Sequence, residues 1–204
     1  MTIKLYGLEQ SRSFRCLWAL CETKAAFDYI PVTFSEGTNS VNNDDYLAKN
    51  NQGKVPTLEH DDFVLTESAA IVNYIDTLSE QSFIPTAPMA RAKFDELSYF
   101  ILCELEQPLW TAGKHRFALP EEQRVADIFS TAAFEFDKAL RTLAKLTQVT
   151  PYALGDEFTF ADILLAQTIN WAERFEFEVT KQYLDYRDKQ YEREAAKRAL
   201  EIIS

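Results

Sequence analysis

The sequence predicts two domains, an α/β domain followed by an all-helical domain. Residues 1–79 alternate strand and helix patterns in the order β-α-β-α-β-β-α. Residues 80–88 contain two prolines and no periodicity, which is typical of a linker between domains. Residues 89–204 contain several long helical patterns and no convincing strand pattern. A small mixed sheet with helices on its faces is the simplest architecture for the first domain.

The chain opens with a strand that passes directly into a helix. IKLY, residues 3–6, alternates polar and apolar residues and is rich in strand formers. From Phe14 to Cys21, apolar residues recur at the spacing i, i+3, i+4 and i+7, which is typical of an amphipathic helix. FDYIPVTF, residues 27–34, predicts a second strand, and Pro31 favours a place at the edge of the sheet.

A hairpin and a helix complete the first domain. Residues 41–51 predict a short polar helix or a loop. TLEH and FVLT are short strand patterns joined across Asp61 and Asp62, a spacing that fits a tight hairpin. Apolar residues from Ser68 onward predict a helix that ends near residue 79.

The second domain is predicted to contain only helices. Thr159 is followed three residues later by Asp162, a capping-box pattern that predicts the start of one of them. The predicted helices cover residues 89–116, 121–147, 159–174 and 187–203, with a short one at 180–185.

Composition and charge narrow the function classes. The net charge of -11 and the pI near 4.7 disfavour nucleic acid or an anionic membrane as the main partner. Three cysteines without a Cys-x-x-Cys pattern and two histidines give no recognisable metal site or Ser-His-Asp triad. We interpret Cys16 and Cys21 as buried, reduced thiols. Because the chain has no apolar run of about 18 residues and no secretory pattern, we expect a cytoplasmic protein.

The junction between the first strand and the first helix is a candidate binding site. A helix start has N–H groups without intrahelical partners and a partial positive charge, so an anion is stabilised there. Ser11 lies at this junction, in the sequence SRS. Its hydroxyl is predicted either to cap the helix or to bind an anionic ligand.

Two later motifs add to this candidate site. Val55-Pro56 stands at the entrance to a strand, where a cis bond would turn the Val55 backbone toward a peptide ligand; a plain trans turn is the alternative. Glu67 and Ser68 lie between a strand and a helix. They are predicted either to bind the ammonium and carboxylate groups of a ligand or only to cap the helix.

Four segments occur in an order that resembles the glutathione transferase family over nearly the whole chain. The resemblance implies a thioredoxin-like N-terminal domain that holds glutathione and an all-helical C-terminal domain that completes a pocket for the second substrate. The segments are IKLYGLEQSRSFRCLWAL, the pattern N-x-x-G-K-V-P-T-L at 50–58, the pattern E-S-x-A-I at 67–71, and GDEFTFADILLA at 155–166.

The resemblance also implies roles for individual residues. Glu67 and Ser68 would bind the γ-glutamyl end of glutathione, Val55 would pair with its cysteinyl backbone, and Lys54 would meet its glycyl carboxylate. Ser11 would face the sulfur, as the hydroxyl does in serine-type members. Because the chain has Arg12 and Ser13 where family members often have proline, Ser13 remains a second candidate for the sulfur contact.

We therefore expect an enzyme that conjugates the glutathione thiolate to small hydrophobic electrophiles. Reduction of peroxides by the same thiolate is a possible second activity. Glutathione is a co-substrate, and no cofactor is expected. Tyr99, Cys103 and Trp110 share a predicted helix face and are candidates to line an apolar electrophile pocket between the domains, although core packing is the alternative. A non-catalytic glutathione-binding scaffold is the alternative function. The resemblance also implies a homodimer.

Overall fold

A computed structural model of the chain describes residues 2–204. It divides into two compact units: residues up to Phe83 together with Glu192–Ser204, and Ile84–Tyr191. The sequence predicts that all of residues 89–204 belong to the helical domain. The structure instead groups the last helix with the first unit, because this helix packs against the first helix of the chain and buries Ala196 and Ala199.

The first unit has the predicted thioredoxin-like order of elements. Its sheet has the strand order β2-β1-β3-β4, in which β1 and β2 are parallel and the other neighbours are antiparallel. The elements are β1 Ile3–Gly7, α1 Ser13–Thr23, β2 Phe27–Pro31, α2 Asp44–Leu47, β3 Thr57–His60, β4 Phe63–Thr66 and α3 Ser68–Thr77. This confirms the mixed sheet, the hairpin at Asp61 and Asp62, and the edge position of β2, which ends at Pro31 rather than at residue 34.

Apolar burial explains where α1 lies. Leu5 of β1, Leu58 of β3 and Leu17 of α1 have no exposed surface, so this helix lies in the core of the first unit. The cysteines Cys16 and Cys21 are buried, as predicted, and neither forms a disulfide.

The second unit is helical, as predicted, but its helices differ from the expected bounds. Residues 88–118 contain two π-helical segments, Ile101–Leu105 and Lys114–Ala118, which hydrophobic periodicity does not predict. The predicted helix over 187–203 is divided near Arg193, whose backbone is extended. The α-helices are α4 Pro88–Phe100, α5 Glu106–Gly113, α6 Ile128–Leu146, α7 Phe160–Arg174 and α8 Lys181–Tyr191, and α9 Glu194–Ile203 belongs to the first unit.

The start of α7 is the predicted capping box. Asp162 has no exposed surface and accepts the N–H of Thr159 at 2.8 Å. Its other oxygen accepts the N–H of Ala153 at 2.7 Å and the hydroxyl of Tyr186 at 2.6 Å. A buried carboxylate needs several donors to offset its lost hydration, and Asp162 has them.

Candidate functional site

Ser11 lies between β1 and α1 and contacts the helix start. Its hydroxyl donates to the carbonyl oxygen of Leu8 at 2.6 Å and accepts the N–H of Ser13, the first residue of α1, at 3.1 Å. The N–H groups of a first helical turn have no intrahelical acceptor, so this contact satisfies one of them. The N-cap position itself is taken by Arg12, so the contact of Ser11 with the helix start comes from the residue before the N-cap. Ser11 as a residue is only partly buried.

Ser13, the second candidate for the sulfur contact, is 1% exposed. Its hydroxyl accepts the N–H of Leu8 at 3.3 Å and a hydrogen bond from the Ser11 hydroxyl at 3.0 Å. Of the two candidate serines, Ser11 is therefore the more exposed residue. The two serines form one hydrogen-bonded group that closes the loop between strand and helix.

Gly7, the last residue of β1, makes room for this group. A Cβ atom at Gly7 would lie 2.8 Å from Ser13 Cβ and 2.8 Å from Cε2 of Tyr29. Both distances are too short for carbon atoms, so glycine is needed for the close approach of helix and strand. Burial raises the pKa of Tyr29 to about 12, which keeps its hydroxyl neutral at physiological pH.

The Val55-Pro56 bond is cis, which confirms the first of the two alternatives for this turn. Two buried side chains hold the backbone of this turn in place. The Lys54 carbonyl oxygen accepts the hydroxyl of Tyr46 at 2.5 Å and Nδ2 of Asn50 at 2.8 Å. Both side chains also contact Thr57 Oγ1, at 2.9 and 3.0 Å. Sequence reasoning missed Tyr46 and Asn50 because their partner is a backbone carbonyl, which no residue pattern marks.

The two residues before Pro56 in this turn differ in exposure. Lys54 is exposed, and its Nζ donates to Gln52 Oε1 at 3.2 Å. Val55 is partly buried against a small apolar cluster of Val32, Val41 and Tyr46. The turn therefore offers backbone and one flexible ammonium group to a ligand.

The start of α3 contains a strained residue. Glu67 has φ 68° and ψ 112°, which is an unfavourable conformation for a residue with a side chain. Its carbonyl oxygen accepts the N–H of Ile71 at 2.9 Å, and its side chain is exposed. The next residue, Ser68, is 5% exposed and begins the helix. Residues in such conformations concentrate at functional sites, so this one supports a binding role for the pair.

Residues of α1 contact the start of α3 directly. Nη1 of Arg15, which has no exposed surface, lies 3.5 Å from Ser68 Oγ. Sγ of Cys16 donates to the Ser68 carbonyl oxygen, also at 3.5 Å. These contacts bring the two helix starts of the candidate site together. Burial raises the pKa of the Cys16 thiol well above its ordinary value, so it is not a reactive thiolate.

The three residues predicted to line an electrophile pocket lie along residues 99–110 of the second unit. Tyr99 is 58% exposed, Cys103 is exposed, and Trp110 is partly buried. A π-helical segment, Ile101–Leu105, separates Tyr99 from Trp110. A π turn contains more residues than an α turn, so the spacing rule behind the shared face does not hold through it. The lining role stays a prediction.

Two further properties bear on what the chain can bind. Among residues 2–204, no three His, Cys, Asp or Glu side chains are grouped as metal ligands. Within the same range, no helix combines the length and the apolar character that crossing a bilayer requires.

Comparison with known proteins places both units in one family. Residues 1–77 match the family model described as glutathione S-transferase, N-terminal domain, and residues 107–200 match the model of the C-terminal domain. A glutathione S-transferase of Hypomyces subiculosus is 31% identical, over 80% of this chain and 79% of that protein. A glutathione S-transferase of Pseudomonas putida is 29% identical, over 83% of this chain and 74% of that protein.

The fold agrees with solved structures. The crystal structure of a glutathione transferase homologue from Sulfitobacter, with bound glutathione, superposes with a TM-score of 0.84. The alignment covers 98% of each chain at 21% identity, which shows the shared fold.

Proposed function

The chain belongs to the glutathione S-transferase family, and on that basis we propose that it transfers the thiolate of glutathione to small hydrophobic electrophiles. The observation that carries the proposal is the position of Ser11, a partly buried residue whose hydroxyl lies at a helix start. Ser11 is the proposed catalytic residue. The burial of Ser13 supports this choice between the two candidates.

Catalysis requires that the bound thiol lose its proton. A free thiol with a pKa of about 8.5 is only a few per cent ionised at neutral pH, and the thiolate is the nucleophile. Lowering the pKa by about two units costs roughly 1.4 kcal/mol per unit. A hydroxyl that donates to the charged sulfur supplies roughly 1.5 to 3 kcal/mol, and the helix start adds roughly 0.3 to 1 kcal/mol. The two contributions together are sufficient to lower the pKa of the bound thiol by about two units.

Ser11 can make this contact at low cost to the protein. When its proton turns from the Leu8 carbonyl oxygen to the sulfur, that oxygen keeps the Ser11 N–H at 3.3 Å. The Ser11 oxygen itself stays bound to the N–H of Ser13. The thiolate then forms a bond to the electrophilic carbon, and the leaving group departs with its electron pair. Binding both substrates in one place supplies proximity.

The remaining site residues are proposed to bind the rest of the tripeptide. The Glu67 carboxylate accepts from the ligand ammonium, and Ser68 donates its N–H and hydroxyl to the adjacent carboxylate. The Val55 backbone pairs with the cysteinyl residue, and Lys54 meets the glycyl carboxylate. The strained backbone at Glu67 and the fixed Lys54 carbonyl support these assignments. We also propose that Tyr99, Cys103 and Trp110, which the sequence predicts on one helix face, line the pocket for the electrophile.

The decisive experiment compares the wild-type protein with Ser11→Ala, using glutathione and chlorodinitrobenzene. We expect kcat/KM to fall at least about tenfold, because a charge-assisted hydrogen bond to the sulfur is lost. Turnover of Ser11→Ala at the wild-type rate would refute the role of Ser11. Assays with cumene hydroperoxide test whether the same thiolate also reduces peroxides.

The alternative function is a glutathione-binding scaffold without catalysis. Calorimetry would then detect glutathione binding, while no electrophile or hydroperoxide would be turned over. We also propose that the protein is cytoplasmic, as its sequence predicts, and that it forms a homodimer, as the family resemblance implies. Light scattering of the purified protein tests the dimer, because a single 23.5 kDa chain and a pair differ twofold in mass.

A further inference from the structure

Two side chains of β3 hold the segment that leads into the cis turn at residues 54–56. Thr57 and Glu59 are two residues apart on this strand, so they point to the same face of the sheet. Thr57 contacts the side chains of Tyr46 and Asn50, the two residues that fix the turn. Glu59 holds the same segment at another point, and the proposed chemistry does not use this second attachment.

The second attachment is an ion pair between Lys49 and Glu59. Lys49 Nζ lies 2.6 Å from Glu59 Oε2. Only 12% of the Glu59 side chain and 33% of the Lys49 side chain are exposed, so water screens this pair less than it screens a surface pair. The Tyr6 hydroxyl donates to the same carboxylate oxygen at 3.1 Å, and the Tyr6 ring centroid lies 5.8 Å from Lys49 Nζ. The ammonium group of Lys49 therefore has a defined position over the sheet.

The place of Lys49 in the sequence connects this ion pair to the turn. Lys49 directly precedes Asn50, whose Nδ2 donates to the Lys54 carbonyl oxygen at 2.8 Å. The N–H groups of Lys49 and Asn50 both donate to the carbonyl oxygen of Tyr46, at 2.9 and 2.8 Å. These three residues therefore form one hydrogen-bonded group, and a displacement of Lys49 moves both side chains that fix the turn.

We propose that Lys49 is a positioning residue for glutathione, which acts through its ion pair with Glu59 to hold the turn that presents the Val55 backbone. The inference rests on the proposed function, in which that backbone pairs with the cysteinyl residue of glutathione. Lys49 does not need to touch the ligand for this role. Without the ion pair the turn has more conformations, only some of which bind, so the apparent affinity falls with the fraction that is competent.

The test compares Lys49→Met with Lys4→Met. Lys4 Nζ lies 2.8 Å from the other oxygen of Glu59, so each variant breaks one ion pair with the same carboxylate. Lys4, however, belongs to β1 and not to the segment before the turn. We expect Lys49→Met to raise Kd for glutathione, measured by calorimetry, about threefold and KM by a similar factor, with kcat within about twofold. Lys4→Met should leave Kd and KM within about 1.5-fold of the wild type, because β1 does not carry the turn.

A conservative variant adds a second requirement. Lys49→Arg keeps the positive charge and should restore most of the affinity, because a guanidinium group can pair with the same carboxylate. Lys49→Gln replaces Lys49→Met if urea unfolding shows that Lys49→Met is not folded. Equal values of Kd for Lys49→Met and Lys4→Met would overturn the proposal. A Lys49→Arg variant that binds as weakly as Lys49→Met would overturn it as well.

A dipeptide ligand separates this role from direct contact with glutathione. γ-Glutamylcysteine keeps the cysteinyl residue but lacks the glycyl carboxylate, which is the group that a lysine would bind directly. If Lys49 positions the turn, Lys49→Met weakens the binding of glutathione and of γ-glutamylcysteine by the same factor. Lys54→Met, which removes the ammonium group proposed to meet that carboxylate, is the comparison and should weaken glutathione alone. A loss in Lys49→Met that is confined to glutathione would mean direct contact and would overturn the proposal.

The same measurements separate this inference from the proposed function. If the wild-type protein does not bind glutathione in calorimetry, the proposed function has failed. If the wild type binds glutathione and Lys49→Met binds it as tightly, only the inference about Lys49 has failed.

Discussion

Arg193 and Glu22 form a two-point ion pair across 171 residues of sequence. Nε of Arg193 lies 2.7 Å from Glu22 Oε1, and Nη2 lies 2.9 Å from Oε2. Trp18 Nε1 also donates to Glu22 Oε1 at 3.0 Å, and only 7% of the Glu22 side chain is exposed. The residue preceding α9 is thus fixed to α1, the helix whose start carries Ser11.

We predict that Arg193→Ala, which breaks this ion pair, lowers the free energy of unfolding. Exposed pairs contribute up to about 1 kcal/mol and fully buried pairs cost about 3 to 5 kcal/mol to break, so we expect about 2 kcal/mol for this partly buried one. The free energy of unfolding in urea measures it. Lys197→Ala, which breaks the exposed pair with Glu194 on α9, is the control and should change stability by less than about 0.5 kcal/mol. Equal effects of the two variants would contradict the prediction.

Gly7→Ala is predicted to displace the serines of the candidate site. The added methyl group would overlap Ser13 and Tyr29, so α1 must shift away from β1. We expect the free energy of unfolding to fall by about 1 to 3 kcal/mol. We also expect a larger fall in kcat/KM than in the comparison variant, Gly37→Ala. Gly37→Ala is the comparison, since no atom lies within 4 Å of the new Cβ and only its backbone conformation is affected. Wild-type activity in Gly7→Ala would show that the close approach is dispensable.

Tyr46→Phe is predicted to weaken glutathione binding without slowing the chemical step. The variant removes one of two side-chain donors to the Lys54 carbonyl oxygen and so loosens the turn that holds Val55. One hydrogen bond is worth about 1 kcal/mol, so KM should rise about fivefold while kcat stays within about twofold. Tyr74→Phe, which loses a hydroxyl bonded to His60 Nδ1 at 2.8 Å, provides the control. A fall in kcat with constant KM would argue against this role of Tyr46.

The lowered pKa of Glu59 allows us to predict how the free energy of unfolding changes in acid. Hydrogen bonds from Lys4 at 2.8 Å and Lys49 at 2.6 Å, with that from Tyr6, lower the pKa of Glu59 to about 2. A lowered folded-state pKa stabilises the protein above the unfolded value of about 4.5, and this contribution is lost as the pH falls toward 2. Glu59→Gln should lose about 1 kcal/mol at pH 7 and show a shallower decline in acid. Unfolding at several pH values checks it, with the exposed Glu96→Gln as the control. Parallel acid profiles for wild type and Glu59→Gln would refute the prediction.

Local sequence signals predicted most of the fold, including the helix starts and the cis turn on which the candidate site residues lie. The periodicity after Phe14, the hairpin at Asp61 and the capping box at Thr159 each depend on neighbours within a few residues, which is why a pattern could indicate them. The cis bond at Pro56 was predictable as an alternative for the same reason.

Contacts between distant residues were not predictable. Glu22 and Arg193 have many possible partners in the sequence, and nothing local indicates their pairing, so the place of the last helix was assigned differently. Gly7 allows both Ser13 and Tyr29 to approach its backbone closely, and only the folded chain brings these three residues together. The π-helical segments also follow from packing rather than from periodicity.

The backbone conformation of Glu67 has a practical consequence for protein engineering. Glycine adopts positive φ readily, so Glu67→Gly would relieve backbone strain of the order of 1 to 3 kcal/mol. The same change would remove the carboxylate proposed to hold the ligand ammonium. A screen for thermal tolerance alone would therefore favour variants at this position that no longer recognise the tripeptide, so selection for robustness must be paired with selection for binding.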